Sequence, residues 1–276
     1  MLGAGDLGGA VTRQAVARAV TRRVVLIDDA ADVARGKALD IRQAAAIDGV
    51  AVEVVGTDDL SAVVGASAVV LADRHAAPAG EYHGDEALRL LARVRSLNPR
   101  ALLVCAGASQ FDVVERMVHE RGADLALIVG SAPEALRGGV VALAALASRS
   151  APRDISLMLL GRPPHRALVV WNDASIAGRR VTDVLGPPAL TRLEGQLPYL
   201  WPPGPLALGA AAVLVVELAM AHALGTPALF VVPRSAAGVR AHGVTVATSV
   251  RADGVTPIWP DLSPRDRTRF ESALAG

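Results

Sequence analysis

Cysteine and lysine are almost absent from this sequence, each occurring once in 276 residues. A single cysteine, Cys105, cannot close an internal disulfide, which points to a reducing compartment. The first residues lack the basic region and apolar run of a signal peptide, so the cytoplasm is the expected location. Lys37 is the sole lysine among 28 basic residues, which argues against a Schiff-base lysine and leaves arginine guanidinium as the group for holding an anion. Charge of one sign is also lacking: the net charge is +1, so there is no long-range field to gather nucleic acid or an anionic membrane, and neither is an expected partner. No long uninterrupted hydrophobic run is present either. The most apolar stretch, LALGAAAVLVVELAMAHAL (206–224), is largely alanine and carries Glu217 and His222; it reads as a buried or subunit-contact helix rather than a membrane span. Repeats, low-complexity linkers and coiled-coil heptads are missing as well.

What the sequence does contain is hydrophobic residues, 52% of the chain, enough for the cores of two domains. In the first half, short β-rich runs at 24–28, 52–56, 68–72, 101–105 and 126–130 alternate with helix-length segments at 8–21, 31–47, 84–96 and 110–121. Such alternation predicts an α/β fold, a doubly wound parallel sheet wrapped by helices, over residues 1–129. After Gly130 an Ala-rich helix (134–148), a Pro-rich interlude and a strand-rich end predict a second, α+β domain over 130–276.

The opening MLGAGDLGG sets Gly3, Gly5 and Gly8 at the spacing of a turn that admits a pyrophosphate, with Asp6 and Leu7 inside it. Twenty residues on, Asp28 ends the run VVLID, where a carboxylate accepts ribose hydroxyls and repels a 2′-phosphate. Gly3, Gly5, Asp6, Leu7, Gly8 and Asp28 are therefore the candidate cofactor-binding residues, and NAD is expected over NADP. Only Met1 and Leu2 precede the glycines, so either the recorded start falls too late or the first strand is stunted.

Beyond this fingerprint the sequence resembles the lactate/malate dehydrogenase family. The resemblance is carried by GAGDLGG and VVLIDD, by GKALDI (36–41), by TDDLSAVVGASAVVLA (57–72), and by PRDISLMLLG and DLSPRDRTRFESALA in the second half. It implies a Rossmann domain followed by the family's α+β substrate domain, NAD as cofactor, a small anionic ligand, and a homo-oligomer, dimer or tetramer.

The resemblance breaks at the chemistry. The family's active-site loop carries two arginines; here it reads AAPAGEYHGDEAL (76–88), with Glu81 and His83 at those places. A carboxylate at Glu81 would repel an anionic substrate, and the family's asparagine is absent from ALLVCAGASQ (101–110). The family's catalytic histidine lies in a Gly-x-His-Gly turn, but the equivalent GRPPHR (161–166) puts Pro163 there and His165 two residues later. Glu134 takes the place of the partner aspartate, and Arg137 that of the arginine gripping the substrate carboxylate.

The catalytic candidates are thus Glu134, Arg137 and His165, with Arg137 and His83 as substrate contacts. Each has a plainer reading: first-turn helix acid for Glu134, backbone tie for Arg137, exposed loop residues for the histidines. His119, His222 and His242 read as surface, and no histidine pair has metal-ligand spacing. These departures predict a catalytically degenerate protein acting as a binding or structural subunit. The alternative is an active, divergent NAD-dependent oxidoreductase using His165, His83 or Tyr82, and a third reading leaves only subunit packing.

Overall fold

A computed structural model of the chain describes residues 1–75, 80–234 and 241–274. The first half alternates as expected: α1 (Asp6–Ala17), β1 (Arg23–Ile27), α2 (Ala31–Ile47), β2 (Glu53–Thr57), β3 (Ala68–Leu71), a short hairpin of β4 (Asp73–Arg74) and β5 (Gly80–Glu81), α3 (Gly84–Leu97), β6 (Leu102–Cys105), α4 (Phe111–Arg121) and β7 (Ile128–Gly130). β1 pairs with β2, β3 with β6, and β6 with β7, all parallel. Strands covered by helices on both faces have no polar side, which is why LLVC of β6 and IVG of β7 are buried at every position.

Ahead of the glycine turn, Leu2 alone takes part in the sheet. Leu2 forms parallel bridges to Ile27 on one side and Leu71 on the other, joining β1 to β3. Its N–H donates to the Val70 carbonyl at 2.8 Å, and the Gly3 N–H to the Ile27 carbonyl at 2.7 Å. Val24 and Val69 line a groove of about 300 Å³ together with Met1, Val11, Ala15, Val213 and Val216.

The second half begins with α5 (Ala132–Ser148) and continues through β8 (Ile155–Ser156), β9 (Leu159–Arg162), β10 (Arg166–Val169), β11 (Ser175–Ile176), β12 (Arg179–Arg180), α6 (Val181–Val184), α7 (Pro187–Gln196), α8 (Pro205–Ala219), β13 (Ala228–Val231), β14 (Val244–Arg251), β15 (Gly254–Pro257) and α9 (Pro264–Leu274). Here the pairing turns antiparallel: β9 with β10, β13 with β14, and β14 with β9 and β15. The two halves share one sheet path, because Phe230 of β13 pairs antiparallel with Gly130 of β7. At that join the Phe230 ring stacks on Phe111 with centroids 4.2 Å apart, an arrangement worth about 0.5–1.5 kcal/mol beyond its buried area.

The apolar helix of the second half is absorbed mostly within the chain. Leu208, Ala211, Ala212, Val213, Val215 and Leu218 of α8 are buried in the same core as Leu7, Val11 and Val16 of α1. Gly209 lets α8 approach closely, since a Cβ there would lie 3.1 Å from the Ala10 and Val11 backbone. Leu206, at the start of α8, remains 80% exposed. Among the described residues no single helix is long and apolar enough to cross a membrane.

Candidate functional site

The glycine turn adopts the geometry its spacing predicts. Gly3 sits at φ +99°, a conformation that side chains disfavour, and a Cβ on Gly8 would strike the Gly3 carbonyl. α1 starts directly after this turn, with the N–H groups of Leu7 and Gly8 pointing out of its first turn.

Those two donors are already taken. The Asp73 carboxylate accepts from Leu7 N–H at 3.1 Å and from Gly8 N–H at 2.8 Å. A Cβ on Gly5 would collide with this same carboxylate, and the Gly5 N–H donates to the Asp73 carbonyl at 3.0 Å. Lys37 seals the other side, its ammonium donating to the Gly5 carbonyl at 2.7 Å. An internal acid, 92% buried with its backbone in β4, therefore fills the place at the helix N-terminus where the pyrophosphate of a dinucleotide sits. Asp6 forms part of the first turn and is exposed.

Asp28 is likewise engaged inward. It is 3% exposed; its Oδ2 accepts from Ala4 N–H at 2.7 Å and His75 N–H at 3.0 Å, and its Oδ1 from Ala30 N–H at 2.9 Å. It borders a cavity of about 360 Å³ that Asp29, Asp58, Asp59, Arg93 and Tyr82 also line. The Tyr82 phenol is pushed well above its ordinary pKa by burial first and then by Asp28, Asp29 and Glu86, so it stays protonated and is no general base.

Glu81 lies opposite Asp73 in the β4–β5 hairpin. Its Oε1 accepts from Ala108 N–H at 2.9 Å, and its Oε2 from Ser109 N–H at 2.8 Å and the Ser109 hydroxyl at 2.6 Å. One hairpin thus carries two acids, one capping the turn before α1 and the other the turn before α4. Residues 76–79 of the AAPAGEYHGDEAL loop lie outside the described residues. His83 precedes α3 at its N-cap position, exposed and making no side-chain cap bond.

In the second half Glu134 and Arg137, one helical turn apart on α5, form a two-pronged pair: Nε to Oε2 at 2.8 Å and Nη2 to Oε1 at 2.6 Å. Glu134 also accepts from the Ala228 N–H at 2.8 Å. The carboxylate bonded to it raises the Arg137 pKa above its ordinary value, so the guanidinium remains charged but satisfied. Arg137 borders a hollow of about 130 Å³ with Ser156, Asp173, Thr226 and Ala228, and no histidine lines it.

His165 is not brought to that pair. It stands exposed at the tip of the β9–β10 hairpin, lining a separate hollow with Arg166 and with Arg265, Thr268 and Arg269 of the α9 segment. Cys105 is fully buried, its thiol pushed up to about 12 by burial, which removes it as a nucleophile.

The contacts of Asp73 with α1 and the capping contacts of Glu81 are what sequence reasoning missed here. Asp73 lies 66 residues from Leu7, and its one local signal was an acid directly following an apolar strand that neighbours the glycine turn.

Comparison with known proteins agrees with this architecture. No protein-family profile matches the chain. Over 71 residues, 26% of this chain, it is 35% identical to the malate dehydrogenase of Pelagibacter ubique and 38% identical to that of Anaplasma marginale. The matched stretch spans 22% of either relative's length. Among solved structures, Plasmodium falciparum malate dehydrogenase in complex with NADH superposes with TM-score 0.85 at 15% identity, covering 99% of this chain and 93% of that one. Cryptosporidium parvum lactate dehydrogenase with lactic acid and NAD gives TM-score 0.83 at 19% identity, covering 99% and 92%. The chain has the lactate/malate dehydrogenase fold: a Rossmann domain followed by the α+β domain.

Proposed function

We propose that this protein is a member of the lactate/malate dehydrogenase family that keeps a nicotinamide-dinucleotide cleft but does not oxidise hydroxy acids, and that it acts as a binding or structural subunit. The observation that carries this reading is the Glu134–Arg137 pair. The acid that would poise a general base holds instead the arginine that would grip the substrate, and no imidazole lines the hollow that Arg137 borders. Reversible hydride transfer needs a carrier for the hydroxyl proton, and general acid–base catalysis contributes about 10²- to 10⁴-fold. His165, at a hairpin tip, lies too far out of register for a task that tolerates little displacement.

NAD(H) is the cofactor class this reading assigns to the cleft. The glycine turn fits it; the pyrophosphate place, held by Asp73, does not admit it as it stands. Self-association as a dimer or tetramer belongs to the same reading, supported by Leu206 at 80% and Tyr199 at 87% exposed beside a groove of small residues between α5 and α8. So does a cytoplasmic location, in keeping with the single buried thiol.

The test is a steady-state assay of oxaloacetate and pyruvate reduction with NADH, alongside His165→Ala. The expected result is no turnover by either protein. Robust wild-type turnover abolished by His165→Ala would overturn the proposal and make the protein a divergent oxidoreductase with a relocated base.

A further inference from the structure

We infer that Asp73 is the residue that sets the dinucleotide affinity of this cleft, because its carboxylate holds the position of the pyrophosphate and any incoming dinucleotide must displace it. The inference rests on the reading that the cleft takes NAD(H), and deepens it by naming what opposes binding.

Three observations converge. The carboxylate accepts from the two N-terminal amides of α1, Leu7 and Gly8, the donors that a phosphate oxygen would need. It also occupies the volume that Gly5 leaves open, since a Cβ added there would meet all the carboxylate atoms of Asp73. The acid is not free to swing aside at no cost, because its own backbone is bound on both sides. Gly5 N–H donates to the Asp73 carbonyl at 3.0 Å, and β4 pairs with β5, which Glu81 anchors to the turn before α4. A glycine-lined turn that must stay clear for a ligand is here filled by a residue of the protein's own, with charge of the same sign as that ligand.

Binding of a dinucleotide is therefore an exchange, carboxylate out and pyrophosphate in, and its observed affinity is lowered by the free energy of breaking the carboxylate's hydrogen bonds to the Leu7 and Gly8 amides. Removing the acid empties the cradle without touching Asp28 or the glycines. The consequence is an unusual sign: truncating a buried residue of the cleft should strengthen binding.

The experiment titrates NADH, by cofactor fluorescence, into the wild-type chain, Asp73→Ala and Asp73→Asn. In parallel, the thermal midpoint of each is measured with and without inorganic pyrophosphate at constant ionic strength. Asp73→Ala is expected to bind NADH at least tenfold more tightly than wild type, with Asp73→Asn between them, and pyrophosphate should raise the midpoint of Asp73→Ala while leaving wild type unchanged. If NADH binds neither protein but pyrophosphate stabilises only Asp73→Ala, the inference about the cradle stands and the dinucleotide reading falls. Equal NADH affinity in all three proteins, or equal stabilisation by pyrophosphate, would overturn the inference. Should Asp73→Ala fail to fold, the near-isosteric Asp73→Asn decides: tighter NADH binding than wild type supports the inference, and unchanged binding defeats it.

Discussion

The start of α1 and the start of α5 each carry an acid bonded from within the chain, but by different means. At α1 the glycine turn and Asp28 have the arrangement their spacing predicts, and Asp73 bonds the Leu7 and Gly8 amides. At α5 an acid and an arginine one helical turn apart bond each other, Glu134 to Arg137. On the proposed reading the first is a reversible occlusion and the second a loss of chemistry. A buried polar group must find a partner whatever its history, and a site without its ligand can recruit that partner from the protein.

The comparison is broken or sharpened by removing each acid in turn. The largest effect is expected for Glu134→Ala, which leaves the Arg137 guanidinium and the Ala228 N–H without their acceptor; Glu134 is 7% and Arg137 27% exposed at the side chain. Removing one partner of such a pair costs about 3–5 kcal/mol, and denaturant unfolding should show a loss of that size. Inorganic phosphate or pyrophosphate should not restore it, since the gap is shaped for a carboxylate attached to α5.

Asp28→Ala comes next. It orphans the amides of Ala4, Ala30 and His75, and charged hydrogen bonds of this kind support an expected loss of about 2–3 kcal/mol by the same measurement. Asp73→Ala removes what is in effect the cap of α1, for about 1–2 kcal/mol. Here pyrophosphate should recover much of the loss, which is the sharpest contrast with Glu134→Ala. The smallest effect belongs to His165→Ala: an exposed hairpin-tip residue should alter stability by less than about 0.5 kcal/mol and leave NADH affinity unchanged.

How much of this could be read in advance follows the range of the forces involved. β1, β2, β3, β6 and β7 begin and end within about two residues of the apolar runs that predict them, and α2 occupies the expected 31–47, because local pattern and burial agree there. The glycine turn and Asp28 were legible for the same reason, both being set by spacing along the chain. Asp73 was not, since its meaning lies in contact with amides 65 and 66 residues away, brought close only when Leu2 joins β1 to β3. Glu81 was read from the charge it lacks rather than from what it holds, the amides of Ala108 and Ser109 across the hairpin. The apolar stretch of α8 reads as a buried or subunit-contact helix, and most of it packs on α1, a pairing that no periodicity within the helix reveals.

The bonding of the Asp73 carboxylate to the Leu7 and Gly8 amides is the feature on which the proposed reading of this cleft turns. Its most direct test is the backbone amide NMR signals of Leu7 and Gly8 in the protein without added cofactor, compared with those of Asp73→Asn. A charge-assisted bond moves an amide proton downfield, so both signals should lie downfield in wild type and shift upfield together in the variant, while amides on the far end of α1 stay in place. Leu7 and Gly8 signals that do not respond to the loss of the Asp73 charge would contradict the account.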